Sequence, residues 1–255
     1  MFKLGKYIVR DLIKNRIILG YILLMSVIGW GAFFLESQPQ KVLLGLMQLT
    51  LFALPLITMV FSTIYYYNSI EFMILLLVQP IDRSTVIKSF YIGITASFVF
   101  AYLIGIGLPL IIFYPVTESL FLMIGGIMLT MIFVAIALYI STWIREKTRG
   151  MGVTLLLWAF FAIIYDGLLL LFIYQFGDYP IEKGVMVLTI FNPIDVTRIS
   201  ILMKTEASAL MGVSGAVFRQ FFGGVLGIWV CFFTLVIWSI IPFSLTKRKF
   251  LRMDI

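Results

Sequence analysis

A helix needs about 20 mostly apolar residues to cross the hydrocarbon of a bilayer, and this chain contains six such runs. They fall at roughly Ile17–Leu35, Val42–Tyr66, Phe90–Phe113, Leu120–Trp143, Met151–Tyr174 and Phe222–Phe243. The second carries Pro55 and the fifth Asp166, and both remain long enough to span. Nothing else in the sequence restricts the fold as much, because backbone inside lipid must satisfy its own hydrogen bonds and a helix does so internally. Composition agrees. Of the 255 residues, 62% are hydrophobic and 12% are charged, whereas soluble domains are nearer half apolar, with about 25% charged. The expected fold is an all-α integral membrane protein with six transmembrane helices.

The charges then predict an orientation. With both termini inside, 14 of the 19 Lys and Arg residues fall in inner segments. They precede the first run (Lys3, Lys6, Arg10, Lys14, Arg16) or sit between runs (Arg83, Lys88; Arg145, Lys147, Arg149) and after the last (Lys247, Arg248, Lys249, Arg252). Lys41, Lys183, Arg198, Lys204 and Arg219 fall outside. Such a bias keeps cationic loops on the cytoplasmic side, and it accounts for the net charge of +7 without nucleic acid. The prediction is a multi-pass protein of a bacterial inner membrane with both termini cytoplasmic.

Residues 1–16 read as an amphipathic helix on the cytoplasmic surface, followed by a transmembrane domain over 17–255. Leu4, Ile8 and Leu12 recur every four residues, as do Lys6, Arg10 and Lys14, giving one oily face and one basic stripe. Its role is either an anchor attracted to anionic lipid or an element that carries movement into the first span. Asp11, and the length of the run that follows, argue against a cleavable signal.

Three further features stand out. The inner loop, 67–89, holds an apolar stretch Ile70–Val78 long enough for two helical turns. Pro80 disfavours helix at Gln79, and Asp82 or Ser84 can cap the helix after it. An apolar helix at the cytoplasmic surface suits a groove on a cytosolic partner; a plain re-entrant hairpin is the alternative. The outer loop, 175–221, is expected to hold short helices lying on or dipping into the membrane surface. Within it, "FNPIDVTRIS" places a turn at Asn192-Pro193, with Asp195 as a helix cap and Arg198 one turn on. It is either a surface helix kept wet by its charges or a docking surface for an outer partner. A carboxylate inside a span suggests a pathway or ion site; Asp166, in the outer third of its span with Tyr165 and Tyr174 in an interfacial belt, is either that or structural, the structural role being the expectation. Met123, Met128 and Met131 are expected to pack rather than bind copper.

Several chemistries are excluded. The chain has no histidine and a single cysteine, Cys231, so neither an internal disulfide nor a His/Cys metal site can form. It has no G-x-x-x-x-G-K-[ST] loop. Any ATP it depends on is bound by another chain, and an enzyme is the weakest class.

Taken together, these features resemble the permease of a type-2 ABC exporter. The inner stretch "LLLVQPIDRSTVIKSF" is similar to that family's "LLL-x-x-P-[IV]-x-R" pattern at Leu75, Leu76, Leu77, Pro80, Ile81 and Arg83. Glu71 is the one acidic residue ahead of the leucines, where the family often has a cluster, and Ser89-Phe90 stands where Gly-Lys is usual. Asn192, Pro193, Asp195 and Arg198 match the "NP-x-D-x-x-R" segment of permeases from the nitrous oxide reductase maturation system. The resemblance implies a homodimer with a cytosolic NosF-like ABC ATPase dimer that holds ATP and Mg, no cofactor on this chain, and a periplasmic NosD-like β-helix protein. Glu71 to Arg83 would then couple to the ATPase, and Asn192 to Arg198 would dock the periplasmic partner, in copper-site maturation. A generic exporter of lipid, drug or peptide, and a non-transport scaffold, are the alternatives.

Overall fold

The computed structural model describes residues 8–12, 16–177, 182–203 and 225–253. Among them every regular element is helical. The spans are α1 (Arg16–Leu35), α2 (Pro39–Asn68), α4 (Arg83–Phe113), α5 (Thr117–Trp143), α6 (Lys147–Gln175) and α9 (Val225–Leu251). The short helix α3 (Ile70–Val78) lies between α2 and α4, and a bent pair, α7 (Glu182–Ile190) and α8 (Pro193–Leu202), lies between α6 and α9. Among the described residues six helices are therefore long and apolar enough to cross a membrane, as the sequence predicts.

Two boundaries differ from expectation. The third span begins at Arg83 rather than Phe90, because Gln79 and Asp82 are extended and no residue after Asp82 interrupts the helix. Asp82 occupies the capping position but its side chain makes no capping bond. The last helix runs past Phe243 to Leu251, so Lys247, Arg248 and Lys249 lie on its final turns, where cations complement the helix dipole.

α5 is the axis of the bundle. It packs against α2, α4, α8 and α9, and Leu129, Phe133, Val134, Ala135, Ala137 and Leu138 are inaccessible. In lipid, association depends on close packing and buried hydrogen bonds rather than on release of water. Glycines provide that closeness: a Cβ at Gly126 would run into the Tyr102 ring, and one at Gly29 into the Gly105 carbonyl, so α5 approaches α4 and α1 approaches α4. α6 is the opposite case. Only 6% of its most apolar window is buried. It leans on α2 through Thr63 Oγ1···Thr154 Oγ1 (3.1 Å) and through Trp158 Nε1, which donates to Phe52 O (3.1 Å).

Both α4 and α6 contain a π turn, at Leu103–Gly107 and Phe160–Ile164 respectively. Such turns widen a helix and open its backbone ladder. The bundle has two distinct ends. At one, Arg83 Nη1 donates to Met253 O (2.7 Å), Lys147 Nζ to Asn68 Oδ1 (2.8 Å) and Tyr65 OH to Asp11 Oδ2 (3.1 Å). This is the basic end. The bent pair α7–α8 occupies the far end. Residues 8–12 are helical, with Ile8 and Leu12 buried and Arg10 and Asp11 exposed; Leu4, Lys6 and Lys14 of the expected stripe lie outside the described residues.

Candidate functional site

At the far end, α7 and α8 meet at 112°, so the chain dips in and turns back. Asn192 makes the turn. Its side-chain carbonyl accepts from Ile194 N (3.0 Å), and Pro193 occupies the first helical position, where a missing N–H costs nothing. The cap is thus Asn192, not Asp195 as the sequence suggested; Asp195 sits inside the first turn, where the helix dipole favours a carboxylate. α8 is almost wholly buried, with Asn192 inaccessible and Asp195 only 5% exposed. Of the two readings the sequence leaves open for this segment, the surface helix kept wet by its charges is corrected. The cause lies on α5: Gly125 leaves no side chain in the way, and a Cβ there would stand 2.7 Å from Thr197 Cγ2.

The bundle satisfies most polar groups of α8; Arg198 Nε is buried without a partner. Asn192 Nδ2 donates to Phe161 O (2.9 Å), a carbonyl in the π turn of α6, and to Asp195 Oδ2 (2.8 Å). Arg198 Nη1 donates to Asp195 Oδ1 and to Asp166 Oδ2, both at 2.9 Å. One guanidinium therefore binds two carboxylates, one from its own helix and one from α6. With both carboxylates ionised the cluster carries one net negative charge. Burial rises across it, from Asp166 (30% exposed side chain) and Arg198 (26%) to Asp195 (7%). A charged group this deep is retained only with partners, and each of these has one.

The sequence reading paired Asp195 with Arg198 but left Asp166 alone. The structure joins all three. Two further contacts were missed. Tyr165 OH donates to Leu188 O (2.5 Å) and Trp238 Nε1 to Ile190 O (3.1 Å), so α6 and α9 each bond a carbonyl near the C-terminal end of α7. Tyr165, first read as part of an interfacial belt, is a bonding residue. Its place beside Asp166 was the available signal.

At the basic end, α3 has the extent the sequence suggested. Met73 and Leu76 are buried, while Glu71, Ile74, Leu75 and Val78 are exposed, Leu75 at 66% and Val78 at 83%. Leu77 and Ile81 pack partly against the core, and Pro80 is exposed. Arg83 ties the start of α4 to the end of the chain through Met253 O. The predicted coupling residues thus divide into an outward face and an anchoring face. Met123 and Met128 pack against the core.

Comparison with known proteins agrees with this architecture. Residues 72–255 match the family described as "ABC-2 family transporter protein". Two relatives share the name "Probable ABC transporter permease protein NosY". That of Pseudomonas aeruginosa is 27% identical over 225 residues, covering 80% of this chain and 82% of the relative. That of Stutzerimonas stutzeri is 26% identical over 226 residues, with the same coverage. A bundle of six spans, an apolar helix offered at its basic end and a family match over most of its length have one reading: this chain is a multi-pass membrane protein, the permease component of a transporter, and it belongs to the ABC-2 family.

Proposed function

We propose that this chain is the permease subunit of an inner-membrane ABC complex that passes ATP-driven movement outward, to a periplasmic β-helix partner in copper-site maturation of nitrous oxide reductase. ATP and Mg²⁺ belong to a cytosolic ATPase dimer, and two copies of this chain pair in the membrane with both basic ends inward. Likeness to proteins named NosY and the NP-x-D-x-x-R segment support the maturation role.

The observation that carries the coupling is the double attachment of α8. It is packed into α5 at Gly125–Thr197 and bonded to α6 through Asn192 and Arg198. α6 shares little surface with the rest of the bundle, so it is free to shift relative to α5, and any shift reaches α8. The movement enters at α3, whose exposed leucine and valine fit a groove on the ATPase. A docking role for Asn192, Pro193, Asp195 and Arg198 then acts through the placement of α8 rather than through their own side chains.

The test is a mild-detergent purification of the tagged protein from its native cells, with mass spectrometry of its companions. An ATPase together with a periplasmic β-helix protein is expected. An ATPase alone makes the chain a generic exporter subunit, and no ATPase makes it a scaffold.

A further inference from the structure

The turn between α5 and α6 at the basic end holds an arginine with no acidic partner among the described residues. Arg145 borders two cavities. One, of about 280 Å³, lies between the ends of α2 and α5 and the helix α3, with Tyr66, Met73 and Ser141 on its wall. The other is an open groove of about 650 Å³ running from Trp143 and Arg149 along α6 to Val153 and Leu156. Ser141 Oγ donates its hydrogen bond to Ala137 O, and Tyr67 OH to Ile144 O. Among the described residues Arg145 is left as the cation without a carboxylate that borders both cavities. Arg149 is held by Glu146 at 2.7 Å, and Lys249 Nζ sits 4.4 Å from the centre of the Trp143 ring.

These groups are ordered by depth. The cations and Trp143 stand at the end of the bundle, the level at which tryptophan and basic residues meet lipid headgroups. Leu156, 70% exposed, lies nine residues past the start of α6, about 13 Å further along the helix at 1.5 Å per residue. That places it beside acyl chains. Cation, then indole, then aliphatic wall is the order of an anionic amphiphile seen from headgroup to tail. An acidic protein surface would match the cations but leave the aliphatic part of the groove untouched. A zwitterionic lipid brings a cation of its own to Arg145.

We propose that this groove is a binding site for an anionic phospholipid, its phosphate at Arg145, which also borders the cavity behind α3, and one acyl chain along Val153 and Leu156. The site touches the exposed side of the α5–α6 turn and the wall behind α3, so occupancy stiffens the element through which the ATPase acts. Basic pockets between membrane helices hold acidic headgroups in this way.

The experiment is native mass spectrometry of the full-length protein in detergent, titrated with phosphatidylglycerol or phosphatidylcholine. The wild type retains phosphatidylglycerol in preference. Arg145→Gln lowers that affinity about five-fold, the effect of one surface cation, and adding Arg149→Gln, whose charge Glu146 already pairs, lowers it further by a smaller factor. Arg145→Lys stays near wild type, and Lys41→Gln, at the far end, leaves retention unchanged. Equal retention of the two lipids, or an Arg145→Gln variant that binds like wild type, overturns the proposal. Displacement of the lipid by millimolar inorganic phosphate reduces the site to one for a free anion. Loss of the ATPase from Arg145→Gln preparations that still retain lipid assigns the cations to a protein contact instead.

Discussion

α3 and α8 are of almost equal length and lie at opposite ends of the molecule, and their burial is the reverse of their composition. α3 reads IEFMILLLV and leaves Leu75 and Val78 in the open; α8 reads PIDVTRISIL and is almost wholly buried. Surroundings explain the inversion. α8 enters a bundle that supplies a carbonyl to Asn192, a carboxylate to Arg198 and a glycine face for Thr197, so most of the desolvation cost of its polar groups is offset, Arg198 Nε being the buried atom left without a partner. α3 rests on α2 and α4 by one side only, the side that buries Met73 and Leu76. A buried polar helix and an exposed apolar one are both departures from a lipid-solvated bundle, and they set the two ends of the molecule apart from its middle.

The comparison is broken most severely at Arg198. Arg198→Met leaves Asp166 and Asp195 facing each other without a cation, in a region where removing one partner of a buried pair costs about 3–5 kcal/mol. The variant is expected to show a large drop in thermal midpoint in detergent; a midpoint close to wild type would mean that α8 is not held by its charges. Gly125→Leu attacks the same helix from α5, since even a Cβ there would meet Thr197. Overpacking of this kind costs about 1–3 kcal/mol, and the same thermal measurement ranks it below Arg198→Met.

At the other end the effects separate. Leu76→Glu puts a carboxylate into a buried position and should lower stability, whereas Leu75→Glu faces water or a partner and should leave the midpoint within about 0.5 kcal/mol of wild type. If α3 seats an ATPase, Leu75→Glu still abolishes its co-purification. Stability retained together with the ATPase would remove α3 from the coupling role.

This division also shows what the sequence made legible. The spans, α3 and its end at Pro80 follow from apolar run length and from one proline, both local properties. The Asn-Pro turn and the reach of Asp195 to Arg198 are local too. The burial of α8 is not. It depends on Gly125, some seventy residues away in sequence, and on a π turn at Phe160–Ile164 that no residue in "FFAII" announces. Asp166 looked like a lone carboxylate for the same reason: its partner comes from another element, and spacing along one helix cannot reveal a pair across two. Asn192 took the cap from Asp195 because Pro193 must begin the helix, a competition between neighbours that pattern reading left undecided.

The smallest effect probes the weak attachment of α6. Its hydroxyl pair with α2, Thr63 to Thr154, is buried, yet Thr154 has a second partner. Thr154 Oγ1 also donates to Gly150 O at 2.8 Å within its own helix, so removing Thr63 costs Thr154 little. Hydrogen bonds between membrane helices average about 0.6 kcal/mol, and Thr63→Val should fall at or below that in detergent unfolding. A loss several times larger would show that α6 is anchored along its length, and α8 would then have no independently moving helix to follow. A loss within the expected range leaves the polar cluster at Arg198 as the dominant link between α6 and α8, the condition under which a displacement of α6 is felt at the far end.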